Sequence, residues 1–160
     1  MRRYNLHDAE FTDHGDPDGF HARVDRIGPK VGGERLGASL YLVPPGQSLC
    51  PYHYEYNEEE WLLVLEGRPT LRHPEGEDEL REGDIVAFRE GPSGAHQVTN
   101  HGDTDARVLM WANRSSTGIV VYPDSDKIMA NPPDDADHII VRRSSGVDYW
   151  DGESPPQPRR

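Results

Sequence analysis

Apolar residues in this chain come in short runs that alternate with polar ones at a period of two. Glycine and proline break the runs every few residues. Ala38 to Val43 (ASLYLV) stops at Pro44-Pro45-Gly46, and Glu60 to Leu65 (EWLLVL) stops close to Gly67-Arg68. Such spacing predicts strands over residues 20–27, 38–43, 52–56, 60–65, 69–73, 78–81, 85–88, 95–99, 107–112, 118–122 and 138–142. Residues 69–73 and 78–81 read as a hairpin around Pro74-Glu75-Gly76, and residues 122–127 as a structured turn. No segment keeps a helical period over three turns, and no repeat of fixed length is present. The pattern is that of an all-β protein, a sandwich or a barrel.

The two ends differ from the middle. Residues 1–19 are acidic and polar, with Asp16-Pro17-Asp18-Gly19 as a turn, and read as a loosely held arm. Residues 20–145 form one domain with its core at 38–112. Residues 146–160 form a polar, proline-rich tail expected to be disordered at its end. A length of 160 residues suits a single domain with a real core. The net charge of −12 repels phosphate backbones and anionic membrane surfaces, so neither nucleic acid nor membrane is an expected partner. Cys50 is the single cysteine, which excludes an intrachain disulfide and fits a cytoplasmic location. The N-terminus shows no signal-peptide pattern, and no stretch approaches the ~20 apolar residues of a membrane-spanning helix.

Side chains on a strand alternate between faces. His53 and Glu55 therefore point one way, and Tyr52, Tyr54 and Tyr56 the other. Glu60 shares a face with Leu62 and Val64, and His96 with Val98. With these faces turned inward, His53, Glu55, Glu60 and His96 form a plausible shell for one divalent ion of borderline softness: iron, manganese, nickel or zinc. Without an ion, two buried carboxylates would repel and one would hold a proton. Glu55 reads equally as a ligand or as a group that orients one. Glu58 and Glu59 read as a solvated turn, with Glu59 replacing Glu60 if the register slips by one. Cys50 reads as a small buried hydrophobe. His7, His14 and His101 read as surface residues, while His21, His73 and His138 fall at strand edges without an evident partner. Tyr41 and Trp111 fit a pocket or the core equally well. Trp61, Leu63 and Leu65 are apolar on the outer face, which calls for a cover. The N-terminal arm or a second subunit would serve, and a homodimer is expected.

The segments Gly46 to Gly67 and Gly83 to Asn100 resemble the two motifs of the cupin superfamily. Six residues separate Glu60 from Gly67 and three separate His96 from Asn100, as in that family, and His53 takes the place of its first histidine. Glu55 stands where the family's second metal histidine usually stands. Gly46 lies one residue further from His53 than the pattern has it, and the stretch from Gly83 to His96 is two residues longer. The resemblance covers residues 38–112 and implies a jelly-roll barrel (double-stranded β-helix), usually dimeric. It implies a metal-binding protein with a small-molecule ligand. Two functions follow from it: a divalent-metal-dependent enzyme acting on a small organic molecule, or a non-catalytic module that binds or senses a small ligand. The fold hosts many chemistries, so the substrate is not specified.

Overall fold

The computed structural model describes residues 1–14 and 19–154. The strands are β1 (Thr12–His14), β2 (Ala22–Arg26), β3 (Leu36–Val43), β4 (Tyr54–Tyr56), β5 (Glu60–Glu66), β6 (Thr70–His73), β7 (Gly76–Glu79), β8 (Ile85–Phe88), β9 (Gln97–Thr99), β10 (Ala106–Asn113), β11 (Gly118–Tyr122), β12 (Lys127–Asn131) and β13 (Ile139–Arg142). One short helix, α1 (Ile27–Val31), follows β2. All pairings are antiparallel. One wall is a six-stranded sheet in the order β1-β2-β3-β10-β5-β8. Facing it are a four-stranded sheet, β13-β12-β11-β4, and a three-stranded sheet, β7-β6-β9. An isolated bridge between His53, just before β4, and His96, just before β9, joins these two. The arrangement is a jelly-roll barrel, as the strand pattern and the resemblance implied.

The period of two sets the core. On β5, Leu62 and Val64 are fully buried, and on β10 Val108 and Met110 lie opposite them in register. Val43, Leu71, Phe88 and Val98 close the cluster from the other strands. Burial of each such side chain contributes about 1.5–3 kcal/mol. Gly67 ends β5 at φ +84°, where a Cβ would come within 3.0 Å of the Ala106 Cα, so the turn admits only glycine. On the reverse of β5, Trp61 stacks on Trp111 with ring centroids 5.9 Å apart. Trp61, Ile85 and Leu36 remain exposed on that outer face. No helix among the described residues is long and apolar enough to cross a membrane.

Three elements escaped the sequence pattern. Residues 122–127 are more than a turn, because Lys127 opens β12 after a 3-10 turn at Pro123–Ser125. The five-residue helix α1 is too short to show a period. The third is β1, which pairs with β2 and corrects the reading of residues 1–14 as loosely held. The cause is Asp25, buried on the outer face of β2 at 2% exposure. Its carboxylate accepts hydrogen bonds from Tyr4 Oη (2.5 Å), Glu10 N (2.8 Å) and Lys30 Nζ (2.8 Å). Arg107 adds a hydrogen bond to the Leu6 carbonyl. The arm thus covers the β2 side of the outer face and leaves the Trp61 side open. The turn expected at Asp16-Pro17-Asp18-Gly19 falls largely outside the described residues, as does the end of the tail at residues 155–160.

Burial alone would raise the Asp25 carboxyl, but the hydrogen bonds from Lys30, Tyr4 and Glu10 and the charge of Lys30 outweigh it and hold it below its ordinary 3.8. A depressed carboxylate stabilises the fold above the ordinary value and loses that contribution as pH falls through the lower, folded-state value. Asp25→Asn is expected to cost about 2 kcal/mol at neutral pH, from weakened charge-assisted hydrogen bonds. Urea unfolding across pH checks this: the gap between wild type and variant should shrink as pH falls below 3.8.

Candidate metal centre

The bridge between His53 and His96 sets the geometry of the site. His96 N donates to His53 O at 2.8 Å and His53 N to His96 O at 3.1 Å, which brings the imidazole centroids to 4.6 Å. Each ring is then fixed by its own loop. His53 Nδ1 lies 2.9 Å from Pro51 O, and His96 Nδ1 lies 2.9 Å from Gly94 O. A carbonyl only accepts, so each Nδ1 carries the proton and each Nε2 keeps its lone pair. Gly94 is obligatory for this loop, because a Cβ there would fall 1.8 Å from Arg89 O. His96 also lies flat against Phe88, with centroids 3.7 Å apart and planes 9° apart.

Glu60 opens β5 from the opposite wall, in register with Phe88. Its Oε2 lies 3.4 Å from His96 Nε2. Ligand atoms of His53, Glu60 and His96 all lie within 4.8 Å of one another, close enough for one ion to be shared among them. His96 Nε2 is buried and makes no hydrogen bond. A lone pair facing a carboxylate oxygen is unfavourable unless a proton or a cation sits between them. Two imidazole nitrogens and a carboxylate suit a borderline divalent ion, and the orphaned Nε2 is the atom such an ion would satisfy.

The structure brings together three of the four expected ligands. Glu55 stands beside the cluster but outside the 4.8 Å group. Its Oε2 is buried without a hydrogen-bond partner. Burial, then the charges of Glu60 and Glu58, push its carboxyl up to about 8. Burial acts in the same direction on Glu60, but the close approach of His96 and then of His53 outweighs it and holds Glu60 low. Glu59 is turned away: its carboxylate accepts from Trp61 Nε1 at 2.8 Å, so β5 keeps the register that puts Glu60 inside. Cys50 Sγ approaches His53 Nδ1 at 3.6 Å and packs against the core. Burial, with Glu60 and Glu55 nearby, pushes its thiol well up, which keeps it protonated. His73 and His21 do have partners, in Asp78 (3.1 Å) and Asp13 (3.7 Å) across their hairpins. Asn100, the last motif residue, donates to Val43 O and Thr104 O at 2.8 Å each and so ties the loop after β9 to β3.

The sequence reading offered Tyr41 and Trp111 for a pocket, and both line one beside Glu60, but it missed the two arginines there. This cavity of about 210 Å³ opens on Glu60 and is lined by Arg26, Ser39, Tyr41, Glu58 and Arg114. The alternation Ala22, Val24, Arg26 along β2 carried the signal for Arg26, since the first two are buried in the core face. Arg114 lies beyond the end of β10, where no period applies.

Burial, then the charge of His96, lowers His53 from 6.5 to about 4 in the metal-free protein. Between those values the unfolded chain binds a proton that the folded chain does not, so stability should rise with pH across the window. Imidazole resonances followed by NMR in the metal-free protein test it: His53 should titrate near pH 4, and a midpoint at or above 6.5 would contradict the burial argument.

Residues 39–112 match a family model described as a cupin domain. The fold is similar to that of a cupin-superfamily sugar phosphate isomerase from Silicibacter pomeroyi, with a TM-score of 0.79 and 25% identity over 93% of this chain and 98% of that one. A protein of Acidithiobacillus ferrooxidans, provisionally named a sugar phosphate isomerase, gives a TM-score of 0.78 and 25% identity over 88% of each chain. The polyketide cyclase RemF of Streptomyces resistomycificus shares the fold at 22% identity, with a TM-score of 0.60 over 71% of this chain and 79% of that one. A comparison with curated proteins gives no match. The paired motifs and the jelly-roll barrel agree with that match: residues 39–112 carry a cupin domain.

Proposed function

We propose that the protein is a divalent-metal-dependent enzyme that isomerises a small polyhydroxylated carbonyl compound, with the ion held by His53, Glu60 and His96. The observation that carries this reading is the convergence of two imidazoles, each with Nδ1 tied to a backbone carbonyl, on one carboxylate within 4.8 Å. When bound, an ion of this kind supplies a Lewis acid that polarises a substrate oxygen. The chain supplies the rest. Phe88 and the bridge hold the rings rigid, and the apolar cluster of Phe88, Leu62, Val64 and Val98 packs on the inner side. Glu55, with an unpaired oxygen beside the centre and ionised once a cation offsets the neighbouring carboxylates, takes a proton from the carbon next to the carbonyl and returns it to the carbonyl carbon, while the proton of the neighbouring hydroxyl passes to the carbonyl oxygen. Carbonyl and hydroxyl exchange places with no net oxidation, so no co-substrate is needed. The likeness to the Silicibacter pomeroyi isomerase over nearly the whole of both chains supports this class of reaction.

Metal analysis of protein purified without chelator, together with a turnover screen of aldose–ketose pairs, tests the proposal. His53→Ala and His96→Ala should each lose the ion. Glu55→Gln should keep the ion and lose about 10²–10⁴ in turnover. Loss of the ion in Glu55→Gln would make Glu55 a ligand and end its role as proton carrier. Ligand binding without turnover by the metal-loaded protein would select the non-catalytic module instead.

The same reading includes a homodimer formed through the outer face of the six-stranded sheet, where Trp61, Ile85 and Leu36 are exposed. Sedimentation should show wild type as a dimer and Ile85→Glu as a folded monomer. A monomeric wild type would end this part of the proposal.

A further inference from the structure

We propose that Arg26 and Arg114 bind a phosphate monoester on the substrate, at the mouth of the cavity that opens on Glu60. This rests on the reading that the cavity receives the substrate, and it adds the charge on the far end of that molecule.

The argument begins with position. Arg26 is the last residue of β2 and pairs with Ser39, which pairs in turn with Met110 on β10. That row continues to Leu62 on β5, so it faces the barrel interior and ends at the mouth. Arg114 follows β10, its N donating to Arg35 O at 2.8 Å. A Cβ built on Gly37 would touch its Cγ and Cδ at 3.7 and 4.0 Å, so the methylenes lie across Gly37 on β3. Two cationic side chains from separate strand ends therefore line one cavity of about 210 Å³ together with Glu60. A space below the usual ~300–1,000 Å³ of drug-sized pockets takes only a small molecule. Such a molecule would reach both Glu60 and the guanidiniums.

Charge gives the second part. Several arginines of this acidic chain face carboxylates: Arg23 with Asp105, Arg68 with Glu79, Arg72 with Asp124, Arg107 with Glu66. Arg26 and Arg114 make no ion pair among the described residues, although the charge of Arg114 is felt by Glu58 in the same cavity. A net charge of −12 repels anionic ligands at long range, so an anionic substrate needs a local cationic mouth. A phosphate monoester carries a charge of about −1.5 to −2 near pH 7 and three acceptor oxygens, which matches two guanidinium forks. Burial raises the Tyr41 phenol, which lines the same cavity and stays protonated as a donor.

Calorimetric titration of the metal-loaded protein with inorganic phosphate, a hexose phosphate, the parent hexose and malonate tests the inference. The hexose phosphate should bind at least about tenfold more tightly than the hexose, because charge-assisted hydrogen bonds are the strong ones. Arg26→Gln and Arg114→Gln should each weaken phosphate and hexose phosphate about tenfold, and hexose not at all, with Arg→Lys at either position in between. Thermal unfolding verifies that each variant folds. Equal affinity for hexose and hexose phosphate, or phosphate binding unchanged in both Gln variants, would overturn the inference. Malonate binding as tight as phosphate would replace the phosphate with a carboxylate and overturn it too. Metal content is measured on the same samples. Stoichiometric ion without a phosphate preference defeats this inference alone, whereas phosphate binding that needs both arginines in a protein without metal affinity defeats the metal reading alone.

Discussion

Everything at the centre depends on one pair of backbone hydrogen bonds, those between His53 and His96. Neither residue lies within a regular strand, yet their bridge is what joins the four- and three-stranded sheets into a wall. The link that closes the barrel therefore also sets the distance between the imidazoles. Side-chain freedom contributes little, because the Pro51 and Gly94 carbonyls and the Phe88 ring remove it. The geometry is written mostly in the backbone, and the side chains inherit it.

The price of that arrangement is electrostatic. Glu55, Glu58 and Glu60 crowd one end of a barrel whose other layers are apolar, and the carboxyl of Glu55 is raised as a result. Such crowding works against stability unless a proton or a cation offsets it. Apolar burial by Leu62, Val64, Val98 and Val108 in the layers behind provides the compensating free energy. Placing Glu55 where the family usually has a histidine adds to the negative charge at the centre. It also leaves an oxygen that is not committed to the three-atom cluster.

Much of this was legible from residue spacing. Alternation along β5 put Glu60, Leu62 and Val64 on one face, and the spacing of His96 to Asn100 marked the second motif. Rigid local rules govern those features, and local rules can be read from local sequence. The clasp on Asp25 was not legible, since a carboxylate in a strand looks exposed until Tyr4, Glu10 and Lys30 arrive from other segments. Strand β12 was hidden because Lys127, Ala130 and Asn131 dilute its apolar residues. The difference between Glu55 and Glu60 was also hidden: both face the interior by period, but only tertiary distance separates them.

The way the walls meet has a consequence for how such a centre is passed on. His53 and His96 belong to one wall and Glu60 to the other, and the strands flanking β5 include β10, which lies beyond His96 in the chain. No contiguous fragment that stops at the third of these residues contains the sheet that positions the second. Gene duplication or fusion can transmit the centre only as a whole barrel, and a truncation that loses β10 leaves the ligands in the sequence without the architecture that assembles them.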